Sequence, residues 1–134
     1  MKRNPNLSVA EGPPAPVALV KVAMGDDGRL LGSLPGLGYA GVVIEGMGAG
    51  HVLADVAPIV GDLAAKIPVV LASRAMTGPV FTHTYGYPGA EIDLIQRGVV
   101  PAGYLSGLKA RLLLGLVMRG GKGGPVAEAL APYQ

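Results

Sequence analysis

The sequence contains no cysteine, no tryptophan, one phenylalanine and few charged residues. Without cysteine the chain can form no disulfide and has no thiol nucleophile, which fits a reducing compartment, so we expect a cytoplasmic protein. Charged residues make up 15% of the sequence, against about 25% in an average soluble domain. This low share indicates that a partner domain or subunit covers part of the surface.

Two further absences exclude other classes of protein. No apolar run approaches the roughly 20 residues that a membrane-spanning helix needs. The net charge is only +2, and lysine and arginine are scattered rather than clustered as on a nucleic-acid-binding face. We therefore expect neither a membrane nor a nucleic acid as a partner, and the 134 residues suffice for one domain.

The beginning of the chain differs from the rest. Residues 1–16 contain four prolines and no apolar periodicity, which is typical of an interdomain linker or flexible arm. Residues 17–134 then form the predicted domain. Because almost nothing precedes this linker, we expect the chain to be the later part of something longer.

Beyond residue 16, short apolar runs alternate with helix-like segments, which predicts an α/β fold. We expect about four parallel strands in a three-layer α/β/α arrangement of the Rossmann-like kind, with ligands at the carboxyl ends of the strands. The strands are predicted at residues 17–22, 41–46, 67–73 and 99–103. The helices are predicted at residues 29–34, 53–66, 94–97 and 106–120, with a last short helix after residue 124. Pro58 is expected in the first turn of its helix or at a kink.

The segment VIEGMGAGHV places Gly46, Gly48 and Gly50 between a strand and His51. It predicts either a phosphate-binding loop or a tight turn that needs positive φ. The spacing is not that of a dinucleotide-binding fingerprint, and the next strand does not end in an acidic residue. Nucleotide binding is therefore the weakest of the functional hypotheses.

Several polar residues at the strand ends are open to two interpretations. Glu45 is a base or binding group, or else a carboxylate satisfied by the N–H groups of the glycine turn. Arg74 binds a carboxylate or, as we favour, forms a structural ion pair with Glu45 or Asp55. His51 is a hydrogen-bonded structural residue or a ligand-binding one. No spacing of histidine and acidic residues indicates a metal or cofactor, and no serine or threonine lies in a nucleophile motif.

A long segment, residues 74–93, is predicted as a loop. It contains TYGYPGAEIDL, with two tyrosines, Glu91 and Asp93. Long loops in compact domains are commonly functional, and the alternative is a subunit contact that uses the aromatic side chains.

Four segments in this order resemble the C-terminal domain of the bacterial L-asparaginase/glutaminase family, the two-domain enzymes with a threonine nucleophile. These segments are GYAGVVIEGMGAGHV, IPVVLASR, TYGYPGAEIDL and GVVPAGYLSGLKARLLLGLVM. The resemblance covers about residues 17–120. It implies an asparaginase C-terminal domain in a dimer or tetramer, in which this domain completes a pocket for a small amino-acid substrate.

The resemblance also implies site residues. The glycine-loop contact with the substrate falls on Gly50 and His51, where better-studied members have asparagine. The acidic partner on the later loop is assigned to Glu91, with Tyr85 as a competing position. The family's nucleophile segment, which resembles TGGTI, is absent from this sequence, so no catalytic residue is assigned and an N-terminal domain becomes the expected partner.

Two hypotheses of function follow. The chain is part of an amidohydrolase that converts asparagine to aspartate and ammonia, inactive without its N-terminal domain. Alternatively, it is a stand-alone domain that binds a small amino acid or supports oligomerisation without catalysis.

Overall fold

Four parallel strands form the centre of the protein, as the sequence predicts. The computed structural model describes residues 9, 11–121 and 125–134. The strands are β1 (Val17–Lys21), β2 (Gly41–Gly46), β3 (Val69–Ser73) and β4 (Val100–Pro101). They lie in chain order in one sheet, and each neighbouring pair is parallel.

The two central strands, β2 and β3, are apolar without alternation because helices cover both faces of the sheet. Val42 and Ile44 belong to the hydrophobic cluster on one face, and Val43 belongs to the cluster on the other. Gly46 is paired in register with Ser73. The carboxyl ends of β2 and β3 therefore lie side by side, which is the expected edge for a ligand site.

In the part of the chain that the structure describes, five helices complete the three layers. They are α1 (Arg29–Ser33), α2 (Ala57–Ala64), α3 (Glu91–Gln96), α4 (Gly107–Val117) and α5 (Val126–Leu130), with 3-10 turns at Arg119–Gly121 and Ala131–Tyr133. Buried residues of α1, α2 and α3 pack on one face of the sheet, and those of α4 and α5 pack on the other. The predicted α/β/α architecture is confirmed.

Helix boundaries differ from the predicted ones where proline and glycine intervene. The helix predicted at residues 53–66 is the shorter α2, and Pro58 lies in its first turn, where a missing N–H is tolerated. Helix α4 has Ser106 as its N-cap, as predicted, and the Ser106 Oγ accepts a hydrogen bond from Lys109 N at 3.4 Å. It ends at Val117, before the predicted stop at Gly120, which turns the chain with a φ of 82°.

The predicted loop at residues 74–93 is wrong at its end, because α3 begins at Glu91 rather than Leu94. Glu91 and Asp93 both lie in the first turn of α3, where the helix dipole favours negative charge. The Asp93 carboxylate also accepts a hydrogen bond from Gly89 N at 2.8 Å. The acidic residues that the sequence assigns to a loop are thus the signal for the start of this helix.

The predicted linker, residues 1–16, lies partly outside the described residues, and its role stays a prediction. Its described end contacts the turn after α4, where Gly120 N donates to Pro13 O at 3.0 Å and Arg119 Nε donates to Gly12 O at 3.2 Å. Within the described part of the chain, every helix is too short or too polar to cross a membrane.

Candidate functional site

The loop after β2 closes on itself between Met47 and His51. Met47 N donates to His51 O at 2.7 Å, and His51 N donates to Met47 O at 2.8 Å. Gly48 and Gly50 have φ values of 52° and 109°, which favour glycine, and a Cβ on Gly46 would lie 2.9 Å from His51 N. A tight turn therefore explains the three glycines, which is one of the two interpretations that the sequence allows.

This turn lacks the geometry of a dinucleotide-phosphate site. Such a site places phosphate against the N-terminus of the helix that follows directly after the glycine loop. Here α2 begins only at Ala57, with Val56 as its N-cap, and residues 52–55 separate it from the loop. The nucleotide hypothesis finds no support in this arrangement.

Both ring nitrogens of His51 are engaged in hydrogen bonds. Nε2 lies 2.9 Å from Glu91 Oε2, and Nδ1 lies 2.6 Å from the hydroxyl oxygen of Tyr87. The imidazole also meets the rings of Tyr85 and Tyr87 edge to face, with ring centroids 5.2 Å and 5.3 Å away. The side chain of His51 is 16% exposed and forms one wall of an open cleft. Its ring nitrogens point to Glu91 and Tyr87.

Glu91 is completely buried beneath this wall. Its Oε1 accepts hydrogen bonds from Thr84 N at 2.9 Å and from Tyr85 N at 2.7 Å, and its Oε2 faces His51. Burial raises the pKa of the Glu91 carboxyl, but the hydrogen bonds from these backbone N–H groups, from its own N–H and from His51 lower the pKa by more. The carboxylate is thus ionised and acts purely as an acceptor.

An open cleft of about 720 Å³ lies in front of these residues, beyond the carboxyl ends of β2 and β3. Its walls combine the glycine turn with the aromatic residues of the long loop, where Phe81 stacks on Tyr85 at 6.4 Å. The lining includes Met47, Gly48, Ala49, His51, Val52, Ala75, Thr77, Gly78, Pro79, Phe81, Tyr85 and Tyr87. The size suits a small ligand.

The four residues assigned from the sequence occupy three different positions. His51 and Tyr85 line the cleft. Glu91 lies behind His51, and both of its oxygens already have partners. Gly50 is buried beneath the turn, where a Cβ would come within 2.9 Å of Val80 Cγ1. Contact of any of these residues with a substrate stays a prediction.

Glu45 fits neither interpretation drawn from the sequence. Its side chain points to the opposite face of the sheet, against Gly107 at the start of α4. Its partner there is Lys21, whose Nζ lies 3.6 Å from Oε2. Alternation of side chains along β2 gives this result, because Val43 and Glu45 share the α4 face. Glu45 therefore lies away from the cleft.

Arg74 has a structural role, but its partner is not one of the acidic residues that the sequence suggested. Its Nη1 donates to the carbonyl oxygen of Val22 at 3.2 Å, and its backbone N donates to Gly46 O at 2.9 Å. The neighbouring Ser73 hydroxyl donates to Gly48 O. These bonds fasten the ends of β1, β2 and β3 to one another and to the glycine turn.

Tyr87 is a cleft residue that the sequence reasoning missed. Its hydroxyl contacts His51, and its ring lies 6.0 Å from that of Tyr85. The available signal is the alternation in TYGYPG, which places two tyrosines two residues apart. Side chains at such a spacing face the same side of an extended segment.

The fold and the cleft define a class of protein: a parallel α/β domain with an open cleft at the carboxyl ends of its strands. Among the described residues no group of three or more histidines and acidic residues is placed to hold a metal ion. Neither histidine there shares a hydrogen bond with a serine or threonine hydroxyl.

Comparison with known proteins identifies the family. The profile of the Glutaminase/Asparaginase C-terminal domain matches residues 16–128, which is most of the chain. The chain therefore belongs to the Glutaminase/Asparaginase C-terminal domain family, as the resemblance of the four sequence segments implies.

Curated relatives agree with this family. A "Probable L-asparaginase" of Deinococcus radiodurans is 40% identical over 86 residues, which are 59% of this chain and 26% of that protein. An L-asparaginase of Bacillus licheniformis is 32% identical over 109 residues, or 81% of this chain and 34% of that protein. One component of the glutamyl-tRNA(Gln) amidotransferase of Halobacterium salinarum is 39% identical over 98 residues, covering 72% of this chain and 22% of the relative. The chain thus aligns with about a fifth to a third of each relative.

A solved structure supports the fold. The crystal structure of a probable cytoplasmic L-asparaginase from Campylobacter jejuni superposes with a TM-score of 0.72 and covers 90% of this chain, at 24% sequence identity. The match takes in 35% of that protein. At this sequence identity the structural similarity supports the fold alone.

Proposed function

We propose that this chain is the pocket-completing domain of an L-asparaginase-type amidohydrolase, which converts asparagine to aspartate and ammonia. The nucleophilic threonine comes from an N-terminal domain, and this domain supplies a wall of the substrate pocket through His51 and Tyr85. The observation that carries the proposal is the cleft at the ends of β2 and β3, whose lining includes residues of two of the four segments that carry the family resemblance.

The roles of the other assigned residues follow from their contacts. Glu91 holds His51 by the 2.9 Å contact between Oε2 and Nε2, so it acts on the substrate through the imidazole. Gly50 shapes the turn that presents His51. Alone, the chain is expected to lack hydrolytic activity, since loss of a nucleophile together with its base removes most of the rate enhancement of an enzyme.

Subunit assembly is part of the same proposal. Leu108 and Leu112, one turn apart on α4, are 69% and 66% exposed, and Leu37 is 66% exposed. Apolar side chains left open in this way suit burial against an N-terminal domain or a second copy of the chain, as a dimer or tetramer. A cytoplasmic location is proposed with it, supported by the absence of cysteine.

The experiment measures ammonia release from asparagine and from glutamine. The chain is assayed alone, and then with the separately produced N-terminal domain of a related L-asparaginase. We expect activity only after mixing, and we expect His51→Ala to reduce it. Asp27→Asn, a change on the exposed surface away from the cleft, is the matched control and is expected to leave the activity unchanged.

Other outcomes decide between the hypotheses. Robust ammonia release by the chain alone would contradict the proposal. If mixing gives no activity but the chain binds aspartate in calorimetry, the domain is a stand-alone amino-acid-binding module. If neither activity nor binding is found, the cleft is not an amino-acid site.

A further inference from the structure

The hydrogen bonds of His51 leave no polar atom of its ring free for a ligand. Nε2 is held by Glu91 and Nδ1 by the hydroxyl of Tyr87. Tyr87, in contrast, is 51% exposed and lines the cleft together with His51. A ligand in the cleft is therefore expected to contact the hydroxyl of Tyr87 rather than a ring nitrogen of His51.

The direction of the hydrogen bonds follows from the carboxylate. Glu91 accepts from two backbone N–H groups at Oε1, so an ionised carboxylate that only accepts fits this position. His51 Nε2 must then donate to Oε2. In the neutral imidazole the other nitrogen, Nδ1, carries no proton and accepts the proton of the Tyr87 hydroxyl.

One consequence concerns the oxygen of Tyr87. Its proton is directed to His51, so its remaining lone pairs are available on the side of the cleft. An oxygen in this state accepts a hydrogen bond and offers no proton to an anion. Tyr85 differs, because within the described residues its hydroxyl makes no hydrogen bond and its ring stacks on Phe81.

We propose that the hydroxyl oxygen of Tyr87 is the group that accepts a hydrogen bond from the ammonium of an amino-acid ligand. Glu91 and His51 are positioning residues that fix the Tyr87 hydroxyl as an acceptor. The inference rests on the proposed function, since it assumes an amino-acid ligand in this cleft. Specificity for the amino group then depends on Tyr87, which belongs neither to the glycine turn nor to the acidic position at Glu91.

The test uses two probes that differ only in the amino group, L-aspartate and succinate. Binding of each to the full chain is measured by NMR titration under identical buffer conditions. Tyr87→Phe removes the hydroxyl and keeps the ring, and Tyr104→Phe, at an exposed tyrosine outside the cleft lining, is the matched control. The amide spectrum of each variant shows whether the fold is retained.

Tyr87→Phe is expected to weaken aspartate binding about tenfold, as befits the loss of one hydrogen bond to a charged group. Succinate binding should change less than about twofold, and Tyr104→Phe should leave both probes nearly unaffected. Equal aspartate binding by Tyr87→Phe and wild type would overturn the inference. Equal weakening of both probes would overturn it as well, because it would indicate a structural role.

A double-mutant cycle tests whether His51 acts through Tyr87. His51→Gln keeps an N–H donor for Glu91 but changes the group that receives the Tyr87 proton. It should weaken aspartate binding in the wild type and have less than about a twofold effect in Tyr87→Phe, since the hydroxyl to be positioned is gone. Additive effects would mean that His51 contacts the ligand independently and would overturn the inference.

Failure of the inference can be told apart from failure of the proposed function. A wild-type chain that binds neither probe and gives no ammonia after mixing with an N-terminal domain overturns both. A wild-type chain that binds aspartate while Tyr87→Phe binds it equally well overturns only the role of Tyr87.

Discussion

Two glutamates near the same edge of the sheet have very different surroundings. Glu45 ends β2 and faces α4, with Lys21 as a partner at 3.6 Å, and the side chain of Lys21 is 63% exposed. Glu91 begins α3 under the cleft, is fully buried, and accepts hydrogen bonds from Thr84 N, Tyr85 N and His51. One carboxylate has a surface ion pair, and the other belongs to a closed network.

Position at a strand end does not by itself make a carboxylate functional. Glu45 lies where a parallel α/β sheet often carries ligands, yet side-chain alternation along β2 turns it to the other face. Glu91 comes from a helix start, and its donors come from the loop that precedes it. The number and burial of these donors decide which glutamate organises the cleft.

The largest expected effect is a direct contrast between the two glutamates. Glu91→Ala leaves two backbone N–H groups and His51 Nε2 without their buried acceptor, so we expect the free energy of unfolding to fall by about 3 kcal/mol. Glu45→Ala removes a partly exposed ion pair and should cost less than about 1 kcal/mol. Urea unfolding measures both, and equal costs would remove the distinction between the two sites.

The second-largest expected effect is the loss of stability when the backbone of the glycine turn is strained, which can be compared with the loss of the Glu91 carboxylate beneath it. Gly50→Ala forces a side chain onto a φ of 109° and a Cβ within 2.9 Å of Val80 Cγ1, so we expect a loss of about 2 kcal/mol. Gly48→Ala is the matched control. Its φ is 52° with nothing within 4 Å of the added Cβ, and it should cost about 1 kcal/mol. Thermal unfolding that ranks the two in the reverse order would contradict this account.

The smallest expected effect is on the free energy of unfolding at low pH. The pKa of the Glu91 carboxyl is lowered in the folded state, mainly because hydrogen bonds outweigh its burial. A lowered pKa means that Glu91 stabilises the fold above its unfolded-state pKa, and that this stability is lost as the pH falls through the folded-state pKa. The difference in unfolding free energy between wild type and Glu91→Gln should therefore shrink from about pH 6 to about pH 3.

A matched exposed carboxylate completes the acid experiment. The pKa of Asp27 is lowered by hydrogen bonds from the backbone and side chain of Arg29, at an exposed site. Solvent screens this pair, so Asp27→Asn should alter the pH dependence less than Glu91→Gln does. A difference for Glu91→Gln that stays constant with pH would mean that the carboxylate is not the titrating group.

Local patterns are enough to predict most of the fold. The bounds of β2 agree with the predicted residues 41–46, because glycine flanks a continuous β-branched run. Ser106 is predicted correctly as a cap because its hydroxyl satisfies a backbone N–H at a helix start. The predicted start of α3 is wrong, since the prediction places Glu91 and Asp93 in a loop although acidic residues also favour a first helical turn.

The candidate site is predicted less completely. The sequence points to His51 and Tyr85, which line the cleft, and the family resemblance draws attention to Glu91. Nothing local indicates that Glu91 is buried or that Tyr87 contacts His51. Arg74 has the structural role that the sequence favours, but with the carbonyl of Val22 as its partner rather than a carboxylate.

The sequence by itself determined the order of strands and helices and the need for glycine in the turn, because these depend on neighbours along the chain. Only the tertiary structure decided which glutamate supports the cleft and how His51 is held. Glu91 and Tyr87 lie 40 and 36 residues from His51. Contacts over such separations form only when the packed sheet brings the loops together, so local periodicity carries no trace of them.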